Sequence, residues 1–83
     1  MRTDYQYIRF VDVGLSSSGR TGVWSCLNTR SGFELGEVRW YGPWRRYCYF
    51  PSVDCVYSAG CLRDIAAFID ALHQLRDARR AAK

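Results

Sequence analysis

Four thiols and one imidazole are where chemistry could begin in this chain. Cys26, Cys48, Cys55 and Cys61 are its cysteines and His73 is its only histidine. A nucleophile needs a base within hydrogen-bond reach, so covalent catalysis would have to draw Cys55 or Cys61 onto His73. His73 instead follows Ile69 and Leu72 in a helical pattern and borders its apolar stripe, where a structural role suits it better. The spacings contain no Cys-x-x-Cys pair, and zinc sites usually draw on ligands paired closely in sequence. The thiols therefore read as small buried hydrophobes, with no metal and no cofactor expected. An even cysteine count would allow two disulfides, but a chain without a secretion signal is expected to keep them reduced. Asp64 and Asp70 read as the wet side of a helix rather than an acid–base pair. No catalytic residue stands out, and the expectation is a protein that is not an enzyme.

Binding chemistry is better supplied. Leu35 to Pro51 reads LGEVRWYGPWRRYCYFP, two strands rich in aromatic and β-branched residues around a turn at Gly42-Pro43-Trp44. Alternation puts Val38 and Trp40 on one face of the first strand and Glu37, Arg39 and Tyr41 on the other. A three-residue turn then carries Cys48 and Phe50 to the apolar face and Arg45, Tyr47 and Tyr49 to the opposite one. With Arg9 from an earlier strand and Trp44 and Arg46 at the turn, the expected binding set is Arg9, Arg39, Tyr41, Trp44, Arg45, Arg46, Tyr47 and Tyr49. Arginine grips phosphate in bidentate fashion, and bases stack on aromatic rings at about 1–3 kcal/mol each. DNA or RNA, alone or within a nucleoprotein complex, is thus the expected partner. The same residue types populate protein–protein hot spots. The alternative is therefore an inhibitor or adaptor that docks on a host protein, an anti-defence protein for example, or a homodimer. Exposed tyrosines also stabilise sheets through cross-strand pairs, with no ligand at all.

These residues need a sheet to hold them. Tyr5 to Val13 alternates as a first strand, with Ile8 and Phe10 facing the core. Val23 to Asn28 is a second, with Trp24 and Cys26 inward. Between them lies a Gly/Ser-rich loop, Gly14 to Gly22, expected to be mobile. It imitates a phosphate-binding loop, but Arg20 replaces the lysine and a strand follows where a helix N-terminus is required. Nucleotide hydrolysis is excluded on that ground. Val53, Val56 and Tyr57 are available to pack under the sheet. From Ala59 the period changes: Leu62, Ile65, Ala66, Ile69, Leu72 and Leu75, flanked by Phe68, mark an amphipathic helix capped by Ser58. Arg76, Arg79, Arg80 and Lys83 gather at its far end, where the helix dipole favours cations.

The fold expected is α+β: an antiparallel sheet of three to four strands packed in two layers on one C-terminal helix. The 83 residues suit a single domain over 1–83, with sheet and loops over 5–58 and the helix over 59–80. A hydrophobic content of 48% makes a core feasible, and the formal charge of +4 is only mildly basic. No apolar run nears the roughly 20 residues that span a bilayer, and the first residues lack the apolar region of a signal peptide. No membrane association and a cytoplasmic location are expected.

The run Leu35 to Tyr47, followed by Cys61-Leu62-Arg63-Asp64-Ile65 and Phe68-Ile69, resembles a group of small uncharacterised proteins of bacterial genomes, phages and mobile elements. The resemblance spans residues 23–72 and implies no particular activity. In architecture the chain is similar to the AP2-like arm-binding domains of phage integrases, which lay a three-stranded sheet in the DNA major groove. It departs from them in placing Glu37 on the face that would meet phosphate, and in strands richer in tyrosine than in basic residues.

Overall fold

A computed structural model describes residues 1–81. Four strands, β1 (Ile8–Leu15), β2 (Gly22–Asn28), β3 (Glu34–Tyr41) and β4 (Arg46–Pro51), form one antiparallel sheet in sequential order. A single 3₁₀ turn, Gly42–Trp44, joins β3 to β4, and one long helix, α1 (Ala59–Ala81), packs across one sheet face. The α+β, sheet-on-helix architecture expected from the alternation and the change of period is the one observed.

The core lies between the helix and one face of the sheet. Ile8, Phe10, Cys26 and Val38 supply the sheet side; Ile65, Phe68 and Leu72 supply the helix side. Phe68, which the periodicity places beside the stripe, is its centre. Its ring stacks on Phe10 with centroids 3.9 Å apart and meets Trp24 edge-on at 5.3 Å. Leu62 and Leu75 lie at the margins of the stripe and remain exposed. Ser58 caps the helix, its Oγ accepting from the Cys61 N–H at 3.2 Å.

The connection from β3 to β4 overturns one expectation. Tyr41 pairs with Arg46, so four residues, 42–45, make the turn rather than three. The extra residue is Arg45, in the left-handed region at φ 50°, its N–H donating to the Gly42 carbonyl at 3.1 Å. One added residue reverses every side chain that follows, because strand side chains alternate with period two. Tyr47 stands opposite Trp40, and Tyr49 opposite Val38, on the helix-covered face. Cys48 and Phe50 stand opposite Arg39 and Glu37 on the open face.

Other segments also depart from expectation. β1 begins at Ile8 and runs to Leu15, past a bulge between Asp12 and Gly14. The Gly/Ser loop is correspondingly short and tied: Ser16 N–H donates to the Thr21 carbonyl, and Thr21 Oγ1 to Ser16 Oγ at 3.0 Å. Val53 and Val56 project into solvent, while Tyr57 packs inward. Its hydroxyl donates to the Leu35 carbonyl and accepts from Tyr49 Oη.

Both sheet edges are blunted against pairing with another strand. On β4, His73 Nε2 accepts the Tyr47 N–H at 3.0 Å and Pro51 has no N–H to offer. On β1 the bulge and the Asp12 side chain, which accepts the Gly14 N–H at 2.9 Å, interrupt the regular ladder. His73 thus fastens the helix to the edge strand through its ring nitrogen.

Candidate functional site

The expected binding residues separate into two places. On the open face, Arg9 is exposed opposite Leu27. Arg39 lies over the Phe50 ring at 3.6 Å and reaches Glu37 Oε1 at 3.6 Å. Its charge is already engaged, and an exposed pair of this kind adds little stability. Tyr41 stands between Phe50 and Trp44, edge-on to each. Glu34, opposite Leu27, accepts from Ser25 on the same face, so carboxylates interrupt the arginines there.

Tyr47 and Tyr49 do not join that face. Tyr47 sits edge-on to Trp40 at 5.3 Å and to His73 at 5.5 Å beneath the helix. Tyr49 lies against Cys26 and Tyr57, and burial pushes its phenol well above the usual tyrosine range. Neither ring can serve as a stacking platform on the open face. The cause is the four-residue turn, which inverts the parity of β4.

A second group of cations comes together instead at one end of the molecule. The β1–β2 turn carries Arg20, the β3–β4 turn carries Arg45, and β4 opens with Arg46. The helix runs from the opposite end and finishes beside both turns with Arg76, Arg79 and Arg80. Six of the eleven arginines therefore share one end of a small sheet. Asp12 and Asp77 are the carboxylates among them. Two clefts flank the last helical turns, one of about 710 Å³ toward Arg20 and one of about 460 Å³ toward Arg45, and Arg76 and Arg80 line both. Arg76 lies over the Trp40 ring, 4.4 Å from its centroid. That contact seats the guanidinium itself on the indole face, at the wall between the two clefts. Lys83, expected to join this cluster, lies outside the described residues.

Arg20, Arg76, Arg79 and Arg80 are thus the site residues that the alternation argument missed. The helix dipole accounts for cations in the final turn, but nothing local in sequence connects residue 20 to residue 80. Only the antiparallel order, with both hairpin turns at the helix's finishing end, unites them.

The thiols are separate from this site. Cys26 is fully buried, and burial pushes its thiol up to about 11, its contact with Tyr49 acting the other way. Alkylation of the native protein should label Cys48, Cys55 and Cys61 first and Cys26 only on unfolding, as mass spectrometry of a time course would read. A folded-state value above the ordinary 9.0 means the thiol's contribution is intact below pH 9 and lost as pH climbs through about 11. The urea midpoint should fall across that window, and Cys26→Ala should lessen the part of the fall that begins near pH 9, Tyr49 supplying the rest from about pH 10 upward. Equal labelling rates for Cys26 and Cys48 would contradict the burial. His73 does not offer a free base: its Nε2 is occupied by the Tyr47 N–H.

The structure defines the class, a small α+β protein of one sheet and one helix, and the chain belongs to a family that includes a phage protein. A member is the "Uncharacterized 9.3 kDa protein" of Acholeplasma phage L2, 30% identical over 71 residues that cover 86% of this chain and 90% of that one. No protein-family model and no solved structure matches the chain. Among the described residues, no helix is long and apolar enough to cross a membrane.

Proposed function

We infer that this protein is a non-enzymatic module that binds nucleic acid, gripping phosphates with the arginine end of the sheet. The observation that carries this reading is the convergence of Arg20, Arg45, Arg46, Arg76, Arg79 and Arg80 on one end, with Asp12 and Asp77 the carboxylates among the described residues that line its two clefts. Guanidinium groups match phosphate oxygens in pairs, and clustered cations focus a polyanion. A sheet-in-groove mode like that of AP2-like domains is less favoured, because Glu34 and Glu37 would face the phosphates. Trp44, 65% exposed at the β3–β4 turn, adds a stacking surface beside Arg45 and Arg46.

Binding of this kind releases counterions, so affinity should fall log-linearly with salt, by about 0.7–0.9 log units per log unit of salt for each phosphate held. Filter binding between about 50 and 200 mM salt reads the slope. Arg80→Gln should weaken binding and reduce the slope by about one. Arg63→Gln, near the start of the helix and away from the cluster, should leave it unchanged. No binding to DNA or RNA at low salt would end this reading.

A second reading rests on the open face, where Val11 is exposed and Tyr41 and Phe50 are half-buried among charged residues. A partner protein, including a second copy of this chain, would cover them, whether in an inhibitor, an adaptor or an anti-defence protein. Light scattering at two concentrations tests the homodimer, and Phe50→Asp should abolish it.

A further inference from the structure

The larger cleft differs from a bare basic patch. Its lining joins Trp24, Leu72 and Leu75 with Arg20, Arg76, Arg79 and Arg80, and Asp12 is the one carboxylate among the described lining residues. Leu75 is 40% exposed, and Leu15, 70% exposed, extends the apolar wall on the hairpin side. Gly22 leaves the edge of the Trp24 indole uncrowded: a Cβ there would come within 3.3 Å of its Nε1. The volume of about 710 Å³ falls in the ~300–1,000 Å³ range of pockets that hold small organic groups.

A fully solvated phosphate needs no apolar wall, and a base inside a duplex cannot leave the stack without unpairing. A cleft lined by both apolar side chains and arginines suits one unstacked base joined to two phosphates. We propose that the cleft between the β1–β2 hairpin and the last turns of α1 receives a single unstacked nucleobase, so that the protein selects single strands over duplex. This rests on the nucleic-acid reading above and deepens it. The base lies against Trp24, Leu72 and Leu75; the flanking phosphates meet Arg20 on one side and Arg79 or Arg80 on the other. Every base has an apolar face, so the slot is tolerant of sequence.

The test is fluorescence anisotropy at one fixed salt concentration with a short single strand, in DNA and RNA forms, and the matching duplex. A single strand should bind about tenfold more tightly than duplex, the equivalent of one stacked base. Leu75→Ala keeps every arginine and should reduce that preference several-fold without altering duplex affinity. A fluorescent adenine analogue within the strand should change its emission on binding, and Trp24→Phe should alter that change while preserving the fold. Equal affinity for single strand and duplex, or an analogue signal indifferent to both variants, would overturn the base slot and leave phosphate binding standing. Absence of binding to every probe would overturn both. A preference confined to DNA or to RNA identifies which strand the slot serves.

Discussion

Phe68→Ala is expected to lower the unfolding free energy by about 3–5 kcal/mol, the usual cost of removing a buried phenyl ring. Phe68 has no exposed surface and touches both Phe10 and Trp24. Its removal opens a cavity where the helix meets the sheet, and the neighbouring rings cannot close that cavity without leaving their own contacts. Domains gain only about 0.05–0.15 kcal/mol per residue from folding. For a chain of 83 residues that is about 4–12 kcal/mol in all, so the loss takes a large share of the stability. Urea denaturation followed by circular dichroism reads it as a large drop in midpoint or as failure to fold. Phe33→Ala, at a ring 75% exposed beside the β2–β3 turn, should stay within about 0.5 kcal/mol. If the two variants changed places, the helix would not be seated as described.

The second large effect comes from adding one methyl group. Gly36 sits in β3 between Cys26 and Pro51, on the helix-covered face. A Cβ there would lie 2.5 Å from Tyr49 Oη and 2.6 Å from the Phe50 carbonyl oxygen. Neither neighbour yields by simple rotation: the tyrosine hydroxyl is tied to Tyr57, and the carbonyl belongs to the ladder. Gly36→Ala should cost about 1–3 kcal/mol through overpacking, read as a lower thermal midpoint. Gly42→Ala meets nothing within 4 Å and should be close to neutral. A neutral Gly36→Ala would mean that Tyr49 does not lie across that glycine.

These effects show where sequence patterns carry information and where they stop. Alternation in β1, β2 and β3 places Ile8, Phe10, Cys26 and Val38 inward, and all four are buried. The change to a helical period places Ile65 and Leu72 against them. Each of these inferences needs only neighbours in one element. The inward turn of Tyr47 and Tyr49 needed more. It depended on whether Arg45 belongs to the turn or to the strand, and both strand registers offer a polar face and an apolar face of plausible composition. Cys48 and Phe50, expected to face the core, are no more apolar than Tyr47 and Tyr49, which take that face instead, so composition could not break the tie. The left-handed conformation of Arg45 did.

The amino-acid order by itself determined the α+β class, the helix, three strand faces and the abundance of arginine, because each arises from short-range periodicity or composition. The tertiary structure alone decided which arginines act together. Residues 20, 45 and 76–80 meet because an even number of antiparallel strands returns the chain to its starting end, and a helix long enough to recross the sheet finishes beside both hairpin turns. Such a meeting is a property of path and length, and no local pattern encodes it.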